Sequence, residues 1–596
     1  MLPGKSLAVI CLCFALSVAG ASMTAGGPAF TLQRAGDGFS LVDPEGKPFF
    51  SMGVCVVTQG ESRENFDTEN PSYAAWQQYV RPEAWADATL RRLAEWKFTT
   101  VGGWSDYKHL TRSTNMLRAF TPVLHIGSTA GAPWWDMWDA KNIRRMDEVG
   151  RTQILKYRDD PRLLGYYTDN ELGWWNATLW KMTLEQPPTS GQRKRLLQLL
   201  RESYRNDWAK LEEDFIIENA SGWRELQKSG MLFLRPGGRG IRVMRQFLAM
   251  IAERYYQLTR DIIRKYDRRA LILGDRYQSF YYPEVARAAA KYVDAVSSNL
   301  NASWNDGTFV RCYLDTLHRL TGKPILIGEF YMAATDNRSG NKNSQGIFPV
   351  VATQAERAAA ARTTLEAVCR LPYVIGVDWF QHHDQPRHGR ADGENFNFGL
   401  VDIYDRPYQE LTDMFAQFEC KRAAVAPRLD ASHGVPRAPA DPLQDFTAMK
   451  ALRNWDRERG FVKPNSEFPL ADLYVCWSSN TLYLAVYGWD IIEEAFYSGR
   501  SVPKNDRPLW VVDCEPPVRA RLGAGREPIV SDPGVPVHNL SGLNLLVRNI
   551  AVMELPARRF GKMQFAAGDS VELSSTLLTH AGAYRMEWQA RFRLSE

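Results

Sequence analysis

The chain has 596 residues, of which 45% are hydrophobic, 24% charged and 12% aromatic, and its net charge is +5. This length predicts two or three domains with ample core, and this composition excludes a disordered chain, a coiled coil and a multi-span membrane protein. So small a positive excess also excludes a nucleic-acid or anionic-membrane binder working through charge. The 19 Trp, 24 Tyr and 27 Phe suit a protein that handles flat apolar faces such as sugar rings, and they equally fill cores.

From the N-terminus, Lys5, the apolar run 7–18 and the small residues Ala19-Gly20-Ala21 read as a signal peptide over 1–21, cleaved after Ala21. That run is too short to span a bilayer, and no later stretch reaches the roughly 18 apolar residues a span needs. An exported protein, periplasmic or secreted, is expected. Cleavage leaves Cys55, Cys312, Cys369, Cys420, Cys476 and Cys514, none in a C-x-x-C pair. Their wide spacing is unlike a disulfide scaffold, and a Cys476–Cys514 pairing stays open. The His-Glu-x-x-His motif is absent, and His382, His383 and His388 lack metal-ligand spacing, so neither metal nor cofactor is expected.

From residue 30 to 425 the chain alternates short apolar runs with helical patterns. Eight runs read as strands: 49–57, 99–104, 122–126, 163–168, 271–277, 293–299, 325–330 and 374–380. Between them lie helices such as 82–96, with Pro82 near its start, and 241–266, where Met244, Phe247, Leu248, Ile251, Tyr255, Leu258 and Ile262 repeat at helical spacing. Eightfold strand–helix alternation predicts an α/β fold, a (β/α)8 TIM barrel, and no Gly-rich phosphate loop favours an open doubly wound sheet. An insertion at about 174–240 is placed on the rim, where it walls a cleft or merely elaborates the fold. Residues 426–442, rich in Ala, Pro and Arg, read as a linker. Beyond it, from 443 to 596, the period drops to two and an all-β sandwich is expected.

In a TIM barrel the catalytic groups stand at the C-terminal strand ends, so Glu171 after the fourth strand and Glu329 ending the seventh stand out from the other carboxylates. Strands four and seven lie across the mouth from each other. Two opposed carboxyls, one protonated and one ionised, are what a retaining glycosidase uses to protonate the leaving oxygen and to attack the anomeric carbon. The competing reading is that each glutamate caps a helix or pairs with an arginine.

The surrounding residues extend this. Asn170-Glu171 and Gly328-Glu329 resemble the clan of retaining (β/α)8 glycosidases. The stretches 101–106, 165–172, 378–381 and, most specifically, Asp392-Gly-Glu-Asn-Phe-Asn-Phe-Gly399 are similar to the β-agarase family of exported bacterial hydrolases, over residues 45–415. The resemblance implies that Glu171 is the acid/base, that Glu329 is the nucleophile and that Asn170 donates to the substrate's 2-hydroxyl. It also implies hydrolysis of β-1,4 galactosidic bonds in agarose or a related polysaccharide, which is the expected partner. Asp378 and Asn299 depart from the family pattern, which has a His before the Trp and a tyrosine near the nucleophile.

Other strand-end residues are candidates for substrate binding. Trp379 is expected to stack under the cleaved sugar, while Asp106, His125, Arg276 and Tyr277 could bond its hydroxyls; Glu394 and Asn395 order a loop or touch a sugar. The C-terminal region resembles a carbohydrate-binding module, with Trp477, Trp489 and Trp510 as conceivable stackers, most of them core. The rival readings are a β-galactosidase or other glycanase of the same clan, and a catalytically silent carbohydrate-binding protein.

Overall fold

The computed structural model describes residues 29–36, 38–344, 348–422, 434–446, 455–456, 459–469, 471–489, 493–499, 501–523, 526–540, 548–579 and 581–596. The expected signal peptide and residues 426–433 of the expected linker lie outside them. The protein is of mixed α/β architecture. Among the described residues, no helix is long and apolar enough to cross a membrane.

Parallel strand pairs run in sequence order through the first two thirds of the chain. Ser51–Val54 pairs with Thr100–Val101, and that strand with Ala119–Phe120. Parallel bridges Phe120 to Leu163 and Val123 to Tyr167 lead to Gly165–Tyr166, which pairs with Leu271–Ile272. Tyr277–Gln278 pairs with Val296–Leu300, then come Ile325–Phe330 and Val374–Trp379, and this last strand pairs back onto Ser51–Val54. All eight expected strand regions carry these pairings, though several keep only two residues in regular ladder. The central strands are buried throughout, Ile325–Phe330 and Val374–Trp379 at every residue, which is why they read as continuous apolar runs.

The intervening helices follow the sequence closely. Pro82–Glu95 begins on a proline, whose missing N–H costs nothing in a first turn. Ile241–Tyr266 buries the whole apolar stripe read from its spacing, Met244 to Ile262. A three-stranded antiparallel sheet, Thr31–Ala35, Gly38–Val42 and Pro48–Phe49, was not foreseen. Its Leu41 and Phe49 pack with Leu164, Leu273, Leu326 and Ile375 near the starts of the parallel strands, sealing the end opposite the cavity.

The 174–240 insertion folds into four helices, Asn176–Glu185, Gly191–Ser203, Trp208–Asp214 and Trp223–Lys228, and a hairpin of Phe215–Glu218 with Met231–Leu234. Trp180 stacks on Phe215 with ring centroids 5.6 Å apart, which ties the hairpin to the first of these helices.

Among its described residues the C-terminal region forms two antiparallel sheets, of five and six strands. Ser570–Thr579 and Tyr584–Arg593 alternate buried and open positions, the period of two read from the sequence. Ala471–Trp477 is instead buried at every residue. One of its faces packs inside the region, through Leu473 and Val475. The other, with Tyr487 of the next strand, packs onto Trp304 and Cys312 of the N-terminal part. Tyr487 stacks on Trp304 at 3.9 Å. The end of the expected linker is itself docked, since Val435 bridges to Leu594 and is fully buried.

Cysteine pairing differs from the one left open above. Cys369 and Cys420 form a disulfide, with Cα atoms 5.5 Å apart, whereas Cys476 and Cys514 are free. Cys476 is committed to the sheet core, and only tertiary proximity reveals the actual partners across 51 residues.

Candidate active site

A cavity of about 1090 Å³ opens where the parallel strands end, and both Glu171 and Glu329 line it. Several residues at the cavity or just behind it have strained backbone. Val56, Trp104, His125, Glu171, Arg276 and Ser279 all have positive φ without being glycine. Such conformations cost about 1–3 kcal/mol each and persist where surrounding structure enforces them, typically at functional sites.

Glu329 is 4% exposed, and its carboxylate receives two donors. The Arg276 guanidinium lies 3.0 Å from one oxygen, and the Tyr331 hydroxyl donates to the other. Arg276 is fully buried, donates also to the Gly328 carbonyl, and lies over the rings of Trp104 (4.3 Å) and Tyr167 (4.8 Å). Tyr331 follows Glu329 by two residues in a strand-like stretch, the spacing that puts side chains on one face.

Glu171 is held differently. Its N–H donates to the carbonyls of Asp275 (3.1 Å) and Arg276 (3.2 Å), which ties it to the neighbouring strand end. Its carboxyl accepts one bond, 2.6 Å from Asn299 Nδ2, and that same nitrogen lies 3.3 Å from Asn170 Oδ1. Asn299 stands in register beside Glu329, so one amide links the two strand ends.

Burial pushes both carboxyls up. Burial and the facing Glu171 raise Glu329, and Arg276 and Tyr331 oppose them. Glu171 is raised by burial against the Asn299 bond and the Arg276 charge. The pair therefore keeps one proton into the neutral range, as expected of two carboxyls sharing a dry site. The donors decide which carboxyl is ionised. A guanidinium and a phenol favour the anion at Glu329, whereas one neutral amide leaves Glu171 as the proton carrier.

The other sequence candidates separate into those at the cavity and those behind it. Asn170 and Glu394 line it. Glu394 is paired with Arg390 at 3.2 Å and accepts from Gln385, so it orders the rim loop. Trp379 does not stack under a sugar as expected. It is fully buried between Phe330 and Phe415 with its indole N–H on the Phe398 carbonyl, and Phe380 takes its place at the cavity. The strand alternates faces, and Trp379 falls on the outer one, against the helices.

Four more candidates stand back from the cavity. Asp106 accepts from Gln59 at 2.7 Å and pairs with His109 at 2.8 Å. His125 accepts from Trp104 Nε1 at 3.1 Å, and burial lowers its pKa, so it is a neutral prop for a cavity residue. Tyr277 is buried, its hydroxyl 3.2 Å from that of Tyr256, and Tyr256 in turn donates to Asp275. Asn395 accepts from Asn341 at 2.8 Å inside the loop it orders. Arg276 acts on Glu329 from behind rather than on hydroxyls. Sequence reasoning missed Trp104, Trp175, Phe280, Tyr331 and Gln381, and gave Asn299 no role. Of these, only Tyr331 carried a signal, its i+2 spacing from Glu329. The insertion contributes Trp175 alone to the cavity.

No family model matches the chain. β-Agarase B of Vibrio sp. (strain JT0107) is 28% identical over 357 residues, 56% of this chain and 36% of that one. β-Agarase A of the same strain is 28% identical over 471 residues, 66% of this chain and 45% of that one. The chain is a relative of the β-agarases. It spans less than half the length of these two curated relatives. Among solved structures, an exo-β-agarase shares the fold with a TM-score of 0.54 at 24% identity, over 66% of this chain and 64% of that one. The structure of an agarase gives 0.54 at 22% identity, over 66% and 64%.

Proposed function

We propose that this β-agarase relative is an exported retaining β-glycoside hydrolase that cleaves β-1,4 galactosidic bonds in agarose or a closely related galactan. The observation that carries the reading is the unequal environment of two glutamates facing one cavity, Glu329 buried and Glu171 half-buried. Glu329 is held by a guanidinium and a phenol, and Glu171 by a single amide. The ring of parallel pairings, with the last strand on the first, supports reading residues 30–425 as a (β/α)8 barrel with the site at its C-terminal mouth. The two antiparallel sheets support reading 443–596 as a β-sandwich.

In this mechanism the Glu329 carboxylate attacks the anomeric carbon as Glu171 gives its proton to the departing glycosidic oxygen. A covalent glycosyl ester results. Glu171, now ionised, takes a proton from water, the water oxygen attacks the anomeric carbon, and the Glu329 carboxylate is released. Arg276 and Tyr331 stabilise that carboxylate as the leaving group, and their fixed positions remove any reorganisation cost. Asn170, which lines the cavity beside Glu171, would donate to the sugar's 2-hydroxyl.

The test compares wild type with Glu171→Gln and Glu329→Gln on agarose and a panel of galactans and β-glucans, by product analysis. Release of neoagaro-oligosaccharides, reduced about 10³-fold or more in both variants, is expected. An aryl β-galactoside with an acidic phenol leaving group separates the roles. Its first step needs no proton, so Glu171→Gln should still release a burst of phenol while Glu329→Gln should not. Cleavage of only another polymer would move the substrate, and no cleavage at all would overturn the reading.

A further inference from the structure

Three tryptophans of the C-terminal sheets are candidates for contact with sugar, and the structure separates them. Trp477 and Trp510 are fully buried in the core. Trp489, at the end of Thr481–Trp489, is only half-buried, and it lines the cavity that holds Glu171 and Glu329. We propose that Trp489 is a substrate-binding residue, forming with Trp175 and Phe280 an aromatic wall that stacks a pyranose ring flanking the one being cleaved. The C-terminal sheets would then complete the cleft instead of acting as a separate tether. The inference rests on the glycosidase reading above and deepens it.

The wall has a consistent construction. Trp175 and Phe280 sit on the loops after the fourth and fifth strand regions with ring centroids 5.1 Å apart, and both line the cavity that Trp489 also lines. Loops near residues 56–73 and 380–394 also line the cavity. At about 1090 Å³ the cavity is at the upper end for ligand sites and accommodates more than a single ring. Flat aromatic faces at a wet opening suit the C–H faces of a pyranose, which are apolar while its rim is polar.

Four residues beyond Trp489, a buried carboxylate clamps this part of the C-terminal region to the same wall. Glu493 accepts from the Ala177 and Thr178 N–H groups at 2.8 and 3.3 Å, in the first turn of the helix Asn176–Glu185, which starts directly after Trp175. Tyr282, two residues after Phe280, donates to the other oxygen at 2.9 Å. All three aromatic residues are thus carried by segments joined at one carboxylate, which matches a charge-assisted anchor at a helix N-terminus.

The test uses the full-length protein with Trp489→Leu, which keeps apolar bulk without a ring face, and Trp489→Phe, which restores one. Steady-state kinetics are measured on neoagarohexaose and on an aryl β-galactoside that fills only the subsite at the glutamates, alongside calorimetric binding of neoagarohexaose. Trp489→Leu should lower kcat/KM on the hexaose roughly tenfold, mostly through KM, and leave the aryl substrate within about twofold. Trp489→Phe should recover most of the loss. Equal losses on both substrates, or no loss on either, would overturn the inference while leaving the glycosidase reading intact. Tenfold weaker hexaose binding by Trp489→Leu in a protein that cleaves nothing would keep the aromatic wall and overturn only the catalytic reading. A wild type that binds no hexaose would overturn the wall as well.

Discussion

Glu171 and Glu329 face a cavity too dry to hold two negative charges cheaply, and the arrangement resolves this by giving one of them the buried guanidinium. The sign of the pH response follows. The productive form has one proton on the pair; burial raises the Glu171 carboxyl above the ordinary carboxylate range, and raising the pH further removes that proton and with it the general acid. An alkaline fall in kcat/KM lying above the ordinary carboxylate range is therefore expected in a pH–rate profile. An alkaline limb at the pKa of an unperturbed glutamate, about 4.3, would contradict the assignment. Tyr331→Phe deletes a bond that lowers the Glu329 pKa, so the carboxylate forms less readily. The acid limb should move to higher pH and kcat fall about 10–100-fold, whereas a tyrosine acting only in packing would leave the profile unshifted.

At the scale of elements, the loops bearing the site are held from behind. The helix Gln354–Cys369 starts with a reciprocal cap between Thr353 and Glu356. It carries the fully buried Arg357, which donates to the Met332 carbonyl at 2.8 Å and the Gly399 carbonyl at 2.9 Å. It ends at Cys369, bonded to Cys420. Thr353→Ala should cost about 1 kcal/mol in urea unfolding. Replacing both Cys369 and Cys420 with serine should cost about 2–4 kcal/mol, because the unfolded chain then regains the freedom of a long loop. Neither change touches the cavity, so kcat should be kept below the melting range.

For the whole molecule, the two antiparallel sheets and the parallel part share a packed surface. Tyr474, Tyr487 and Val552 cover Trp304 and Cys312, and Glu493 caps a helix of the insertion. A chain truncated after residue 422 would expose that apolar face and strand Trp304 in water. Its soluble yield should collapse, and size-exclusion chromatography should show aggregate; a well-behaved monomer of native melting temperature would mean the two parts are energetically independent.

Periodicity alone determined much of this protein. Uninterrupted apolar runs located the eight paired strand regions, and a stripe at helical spacing predicted the helix 241–266 to the residue, because burial on two faces or one is written directly into residue order. Strand-end position likewise singled out Glu171 and Glu329 before any contact was known. Tertiary structure decided the rest. Whether Trp379 or Phe380 faces the cavity turns on one residue of pleat, and a strand's sequence does not say which face is inside when both are apolar. The Cys369–Cys420 pairing, the Arg276 ion pair behind Glu329, the Asn299 amide on Glu171 and the arrival of Trp489 from residues far along the chain all depend on distances across the fold. Such contacts leave no periodic trace, because the partners are brought together by packing and not by spacing along the chain.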